Sequence, residues 1–397
     1  MSTTDKYAAG ASALGYIYQT RLGLLRMLDV DERTVMFIEK DDDLEFEEVN
    51  GKKTLASLKH KAAGDRMTNF SVDFWKSVNI WIQRYNRDGQ MTCTHRYLLF
   101  TTAKPAELSF LEQLTTTADG DLAKVLMDMQ EALDTTTSKT ILPVKLLFDT
   151  LDAEQKLDFV SRITVCEDSD RIQDLPKAII TKHMRTIRGP HRSEVFSRLE
   201  GWWTNEVVKL LSGERTNGLV SQEVSDKLGF IADEYKIDNL PITFRDAHPE
   251  QDPDPENDNR LFVRQLHSIG LKTTQVRRAI VDYYRAFEQR ASWARLEADI
   301  GEEIELYEDK LVDEWARNKD IIHAKVNAES AEEFMKGCGQ SLYNWAEINT
   351  TDLRIRPNVT ERYVVRGSFH MLANESAPRV HWHPLFLDRL KDSLDRA

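Results

Sequence analysis

The sequence predicts an α+β fold: an N-terminal mixed sheet flanked by helices, followed by a mostly helical C-terminal half. Three observations carry this reading. Hydrophobic residues make up 41% and charged residues 30% of 397 residues, the balance of a globular chain long enough for more than one core. Strand and helix periodicities alternate over roughly the first hundred residues. From about Leu108 onward, helical spacing dominates.

Taken in order, Leu14, Tyr18, Leu22, Leu25 and Leu28 recur every three or four places and predict a first helix from Ala11 to Leu28. Thr34-Val-Met-Phe-Ile38 has the β-branched and aromatic composition of a strand and runs into an acidic cluster, Glu39 to Asp43. Leu44 to Val49 and Lys52 to Lys59 flank Asn50-Gly51, a dipeptide suited to a two-residue type I′ turn, and read as a hairpin. Ser71 is placed to cap a helix bearing Phe74, Val78, Trp81 and Tyr85 on one face, closed by Asn86-Arg-Asp-Gly89. His95 to Thr102 then reads as another strand.

Helical spacing from Leu108 to Leu211 is interrupted at Pro143, Pro176 and Gly189-Pro190. Phe244 to Arg260 holds three prolines among six acids and reads as a solvated acidic linker, with an internal mimic of DNA as the alternative. Beyond it, Thr273 or Thr274 would cap a helix bearing Val276, Ile280, Tyr283 and Phe287. A second stripe, from Trp293 to Trp315, makes two long helices or one bent one. Short strands are expected at Asp352–Arg356, Tyr363–Val365 and Pro378–Trp382. The expected boundaries are 1–175 for the sheet domain, 176–245 for a helical connection, 246–260 for the linker and 261–397 for the C-terminal domain.

The formal charge of −13 excludes a chain coated with positive charge but not a local basic groove. Between Lys177 and Arg198 the chain carries Lys182, Arg185, Arg188 and Arg192, with Glu194 the one acid. These are weak DNA-contact candidates, set against an ordinary solvated helix face or a seat for an acidic partner. Cys93, Cys166 and Cys338 lack the spacing of a disulfide or zinc framework and read as buried thiols. Met1 to Tyr16 has no signal-peptide pattern, and no stretch reaches the roughly 20 apolar residues of a membrane helix. A cytoplasmic protein with no membrane partner is therefore expected.

The chemistry gathers on the hairpin. Carboxylates hold hard divalent cations such as Mg²⁺ or Mn²⁺, and a lysine beside them neutralises charge growing on a phosphate, a combination suited to phosphodiester hydrolysis. Glu39, Asp42 and Asp43 lie between the first two strands, and Lys59 ends the third. A two-residue turn pairs Val49 with Lys52 and sets Asp42 opposite Lys59. Asp43 then points to the other face, unless a bulge or longer loop shifts the pairing by one. Asp42 and Asp43 both stand as candidate catalytic and metal-binding residues, with Lys59 as catalytic partner and Glu39 as an auxiliary ligand. The plain alternative is a surface salt bridge of about 0–1 kcal/mol.

The order acid, paired Asp, hairpin, x-x-Lys resembles the restriction-endonuclease-like PD-(D/E)xK fold. Its tripeptide would read Ser57-Leu58-Lys59 here, with Ser57 where that family has Glu or Gln. The resemblance implies a metal held by Glu39, Asp42, Asp43 and the Leu58 carbonyl, in a stoichiometry of one or two left open by Ser57. Gly15-Tyr-Ile-Tyr-Gln19, Glu39 to Leu44, Lys59-His-Lys61 and Asp73-Phe-Trp-Lys76 resemble the double-stranded DNA endonuclease domain of bacterial anti-phage effectors, including one branch of CBASS systems, over residues 8 to 105. Within it His60 and Lys61 would contact the DNA backbone, although His60, facing opposite Lys59 on a strand, reads more readily as a core or surface histidine. Gln19 would orient the site or be an ordinary exposed glutamine.

Leu199-Glu-Gly-Trp-Trp203, Asn239-Leu-Pro241, Phe262-Val-Arg-Gln265, Asp282-Tyr-Tyr-Arg-Ala286, Trp293 and Asp313-Glu-Trp315 resemble the C-terminal half of bacterial three-component ABC-ATPase systems. Head and tail together are similar to the effector subunits (LmuA) of Lamassu defence. That resemblance implies an SMC-like ATPase and a small third subunit as partners, double-stranded DNA as substrate, and release into active homo-oligomers. A non-catalytic adaptor with a decayed site is the competing class.

Overall fold

The computed structural model describes residues 8–62, 64–115, 121–297, 299–327 and 329–394. The expectations for the first seven residues lie outside that range. In chain order the elements are α1 (Ala8–Asp29), β1 (Val35–Ile38), β2 (Leu44–Glu47), β3 (Lys53–Lys59), β4 (Arg66–Met67), α2 (Val72–Arg87), β5 (Arg96–Thr101) and β6 (Lys104–Pro105). There follow α3 (Phe110–Gln113), α4 (Leu122–Thr135), α5 (Leu142–Phe148), α6 (Ala153–Ser161), β7 (Ile163–Cys166), α7 (Leu175–His183), α8 (Arg192–Leu211), β8 (Leu219–Val220) and α9 (Ser221–Asp233). The remainder is helical: α10 (Leu261–Ser268), α11 (Thr273–Leu296), α12 (Ile300–His323), α13 (Glu332–Ile348), α14 (Arg362–Ala373) and α15 (Phe386–Leu394).

The chain divides into two compact units, residues 1–231 and 232–397. In the first, a six-stranded mixed sheet runs β7-β5-β3-β2-β1-β8. β1, β2 and β3 form an antiparallel meander, and β3, β5 and β7 are parallel. Successive strand residues point to opposite faces, so Leu55, Tyr97, Leu99, Ile163 and Val165 join Trp75, Trp81 and Phe159 in one apolar core with α2 to α6. On the other face Phe100 meets the Arg26 guanidinium of α1 at 4.5 Å, and a Cβ added to Gly23 would reach the Met36 side chain at 3.2 Å.

The helix, strand, hairpin, helix, strand order expected for residues 8 to 105 is present. The domain boundary at 175 is not a seam: α7 and α8 pack on α1, and β8 pairs antiparallel with β1. The region 176–245 therefore contributes a strand to the sheet instead of merely connecting two domains. Two residues, Leu219 and Val220, form that strand, too short to register as a periodic pattern.

The second unit is all helical among the described residues. Tyr363–Val365, expected as a strand, lies in α14, while 352–356 and 378–382 are irregular. A three-residue apolar run cannot separate helix from strand by period, and here the helix is buried nearly all round, Tyr363 and Val364 in one apolar cluster and Val365 in another. The predicted pair of long helices is α11 and α12. The acidic segment 246–260 is not a free tether: Arg285 Nε donates to the Ala247 carbonyl at 2.8 Å, Thr273 Oγ1 to Glu256 at 3.0 Å and His267 Nε2 to the Pro255 carbonyl at 2.8 Å. Just before it, the fully buried Gln289 donates to the Pro241 carbonyl and accepts from the Thr243 backbone.

Candidate metal-binding hydrolytic site

Register decides which aspartate meets the lysine. The observed pairs are Leu44 with Ala56 through Glu47 with Lys53, one residue away from the pairing a two-residue turn would produce. The hairpin closes by Glu48 N to Lys52 O and Gly51 N to Glu48 O, both 2.9 Å, with Gly51 at φ +78°. This is a three-residue loop whose glycine takes the left-handed position of a bulge. The longer loop moves Asp43, not Asp42, opposite Ser57.

Asp43 is the hub. Its Oδ2 accepts the Leu58 backbone N–H at 2.6 Å and the Ser57 hydroxyl at 3.4 Å and lies 3.7 Å from Lys59 Nζ. Its Oδ1 accepts Gln19 Nε2 at 3.0 Å. Asp42 turns inward instead: Trp81 Nε1 donates to its Oδ2 at 2.6 Å and the Asp43 backbone to its Oδ1 at 2.9 Å. Burial, which outweighs those two hydrogen bonds, pushes its carboxyl up to about 6. Glu39 is exposed at φ 55°, in a conformation uncommon for a non-glycine residue.

Strand alternation places Ser57 and Lys59 on the face that α2 covers. Ser57 is 1% exposed, with Ser77 Oγ 2.7 Å from its own Oγ. Asp73, one helical turn before Ser77, pairs with Lys61. Burial raises the Asp73 carboxyl, but the Lys61 hydrogen bond and the charges of Lys59 and Lys76 together hold it below its ordinary range. Thr102 Oγ1 clasps Lys61 through both its backbone N–H at 2.8 Å and its carbonyl at 3.0 Å. From sequence alone Ser77 and Thr102 had no role, Asp73 only a place in a resembling motif and Trp81 only a place on the apolar helix face. The spacing of Asp73, Ser77 and Trp81 at every fourth residue of one helix was the available signal.

His60 is exposed and packs on Tyr18, ring centroids 5.2 Å apart. The basic candidates of the 177–198 stretch make contacts within the chain, with Lys182 and Arg185 exposed. Lys182 and His183 pair with Asp29, Arg185 Nε donates to the Thr181 carbonyl, and Arg192 donates to the Ile187 and Arg185 carbonyls at 2.8 and 3.0 Å. Arg188 is exposed on the same turn. The three cysteines are free, Cys338 buried and the other two half-buried. A cavity of about 750 Å³ lies at the far end of the hairpin, over Phe46, Thr54, Leu98 and Phe100, and involves none of the candidate residues.

Among the described residues no group of three His, Cys, Asp or Glu side chains is arranged to hold a metal ion. The oxygen donors the hairpin offers are the Asp43 carboxylate and the Leu58 carbonyl, the Ser57 hydroxyl being engaged by Asp43 and Ser77. Such a set fits Mg²⁺, which binds through one or two carboxylates and keeps water and phosphate oxygens for the rest of its shell, and does not fit an all-protein cage. No described helix is long and apolar enough to cross a membrane.

No curated protein matches the chain. Among solved structures, the Acinetobacter baumannii Cap4 SAVED/CARF-domain containing receptor with the cyclic trinucleotide 3'3'3'-cAAA is 10% identical at a TM-score of 0.33, covering 55% of this chain and 44% of that one. The same receptor without a stated ligand is 10% identical at a TM-score of 0.33, covering 64% and 58%. The chain thus spans less than two thirds of those receptors, and similarity this low matches no residue of one to a residue of the other. Residues 262–390 match the family model of C-terminal domain 7 of the ABC-three component (ABC-3C) systems, so most of the helical second unit is similar to a C-terminal domain of those systems.

Proposed function

We propose that this chain is a Mg²⁺- or Mn²⁺-dependent DNA endonuclease, the effector of a bacterial anti-phage or anti-plasmid complex. One observation supports it above the others: a single carboxylate, Asp43, is held on a hairpin between the Lys59 ammonium, the Leu58 N–H and the Gln19 amide. A divalent cation bound there supplies Lewis-acid stabilisation of the charge that grows on a phosphate. Lys59 supplies fixed positive charge at the same point, where it orients the attacking water or neutralises the departing oxygen. Gln19 and Leu58 N–H aim the Asp43 carboxylate, and Lys61, anchored by Asp73 and Thr102, extends the positive rim toward a DNA backbone.

The match over residues 262–390 supports ABC ATPase partner subunits. In the proposed assembly the ATPase is SMC-like, a small third subunit completes the complex, and the nuclease is restrained there and active after release and homo-oligomerisation. The competing reading, a non-catalytic adaptor, is favoured by Ser57 in place of Glu or Gln and by Asp42 turned to Trp81. Plasmid degradation by the full chain in its oligomeric form, with Mg²⁺ or Mn²⁺, separates the two. Wild type should degrade and Lys59→Ala should not, with fold and partner binding retained. Full cleavage by Lys59→Ala sinks the nuclease assignment, and wild type that never nicks DNA in any assembly establishes the adaptor.

A further inference from the structure

The metal site proposed above lacks one donor by its own chemistry. The hydroxyl of Ser57 stands where a carboxylate or amide oxygen would help hold a cation, and α2 closes over it through Ser77 at 2.7 Å. A longer oxygen-bearing side chain has no room at that position without moving the helix. Asp42, the other acid at hand, has both oxygens engaged inward by Trp81 and the Asp43 backbone. Glu45 of β2 is paired with Lys53, and Asp43 is the one of the two adjacent aspartates turned to the site.

A second oxygen stands on α1. Gln19 is 9% exposed, buried beside the site, and its Nε2 donates to Asp43 Oδ1 at 3.0 Å. Its Oε1 is buried with no hydrogen-bond partner. An amide oxygen shut away from water without a donor is unfavourable, and such orphans call for a group that satisfies them. Amide oxygens are ordinary ligands of hard divalent cations. Exchanging the two ends of the amide would not cure the defect, because it would set an oxygen against the Asp43 carboxylate, which is tolerable only with a cation between them.

We propose that Gln19 Oε1 is a direct ligand of the divalent cation, the α1 substitute for the donor missing at Ser57. The assignment rests on the metal-dependent reading of the same site. Its test uses Mn²⁺ as probe and the full chain without DNA, reading affinity by calorimetry and the number of exchangeable waters on bound Mn²⁺ by proton relaxation. Gln19→Leu should bind at least ~10-fold more weakly and carry one more water on the ion. Gln19→Glu, which keeps an oxygen there, should bind at least as tightly as wild type with no extra water.

A merely positioning role for Gln19 would weaken binding with an unchanged water count, and that result overturns the assignment. Equal affinity and equal water count in wild type and Gln19→Leu overturns it as well. In both cases a wild type that binds Mn²⁺ and cuts DNA leaves the nuclease reading standing. No Mn²⁺ binding by wild type removes both. Thermal melts of each variant establish that the protein compared is folded, and Gln19→Glu carries the test if Gln19→Leu does not fold.

Discussion

The Asp43 carboxylate and the Lys59 ammonium stand 3.7 Å apart on one side of the hairpin, while Asp42, one residue away, buries its carboxyl against Trp81 at 2.6 Å. Adjacent aspartates thus carry different duties, and substitution should separate them. Asp43→Asn should abolish metal-dependent cleavage with little loss of stability, since Asn can still accept the Leu58 N–H. Asp42→Ala should cost about 1–3 kcal/mol, because the buried Trp81 N–H loses its acceptor. Urea unfolding read beside plasmid cleavage checks both. Equal effects on both readouts would contradict the division.

Asp42 also makes a pH prediction. Its folded carboxyl titrates at about 6 against an ordinary 3.8 because burial disfavours the charged form. The folded state therefore holds the proton more tightly than the unfolded state. Its contribution to stability is complete below about pH 4 and lost as the pH rises through 6, by at most about 3 kcal/mol. Relative to Asp42→Asn, wild type should lose stability between pH 4 and pH 7 in denaturant titrations. A constant difference would refute the buried assignment.

The second unit responds to acid in the opposite sense. Burial lowers His381 to about 4, and His323 and His383 also fall below their ordinary 6.5. Their neutral rings contribute stability that is complete above pH 6.5 and lost as the pH falls toward 4. His381 packs on Trp315 with ring centroids 5.0 Å apart, a contact Phe can keep. His381→Phe should therefore resist acid better than wild type, with the difference in urea midpoint widening from pH 7 to pH 4.5. An identical acid response would show that His381 takes no part in it.

Two helical glycines should respond to alanine with opposite signs. A Cβ on Gly367 of α14 would lie 2.3 Å from the Asp282 carbonyl and 2.4 Å from the Ala286 Cβ of α11, so Gly367→Ala must force the helices apart at about 1–3 kcal/mol. Gly201 in α8 has nothing within 4 Å of the same point, and Gly201→Ala should gain up to about 1 kcal/mol from helix propensity. Thermal melts check both signs.

What the sequence by itself determined is whatever local periodicity and composition encode. α1, the three-stranded meander, α2, β5 and the long helices α11 and α12 follow from apolar spacing of three to four or of two. The presence of acids and Lys59 on one hairpin follows from chain order. Tertiary structure decided the rest. One extra loop residue at Val49-Asn50-Gly51 chose Asp43 over Asp42, because each step of register turns a side chain to the opposite face. The inward turn of Asp42 needed Trp81, 39 residues away. The burial of Gln19 needed α1 to be clamped on the sheet by α7 and α8, where Trp203 donates to the Thr20 carbonyl at 2.7 Å. β8 and the bound course of residues 246–260 exist only through distant partners. Those pairings depend on which surfaces meet once the chain is compact, and no window of neighbouring residues carries that information.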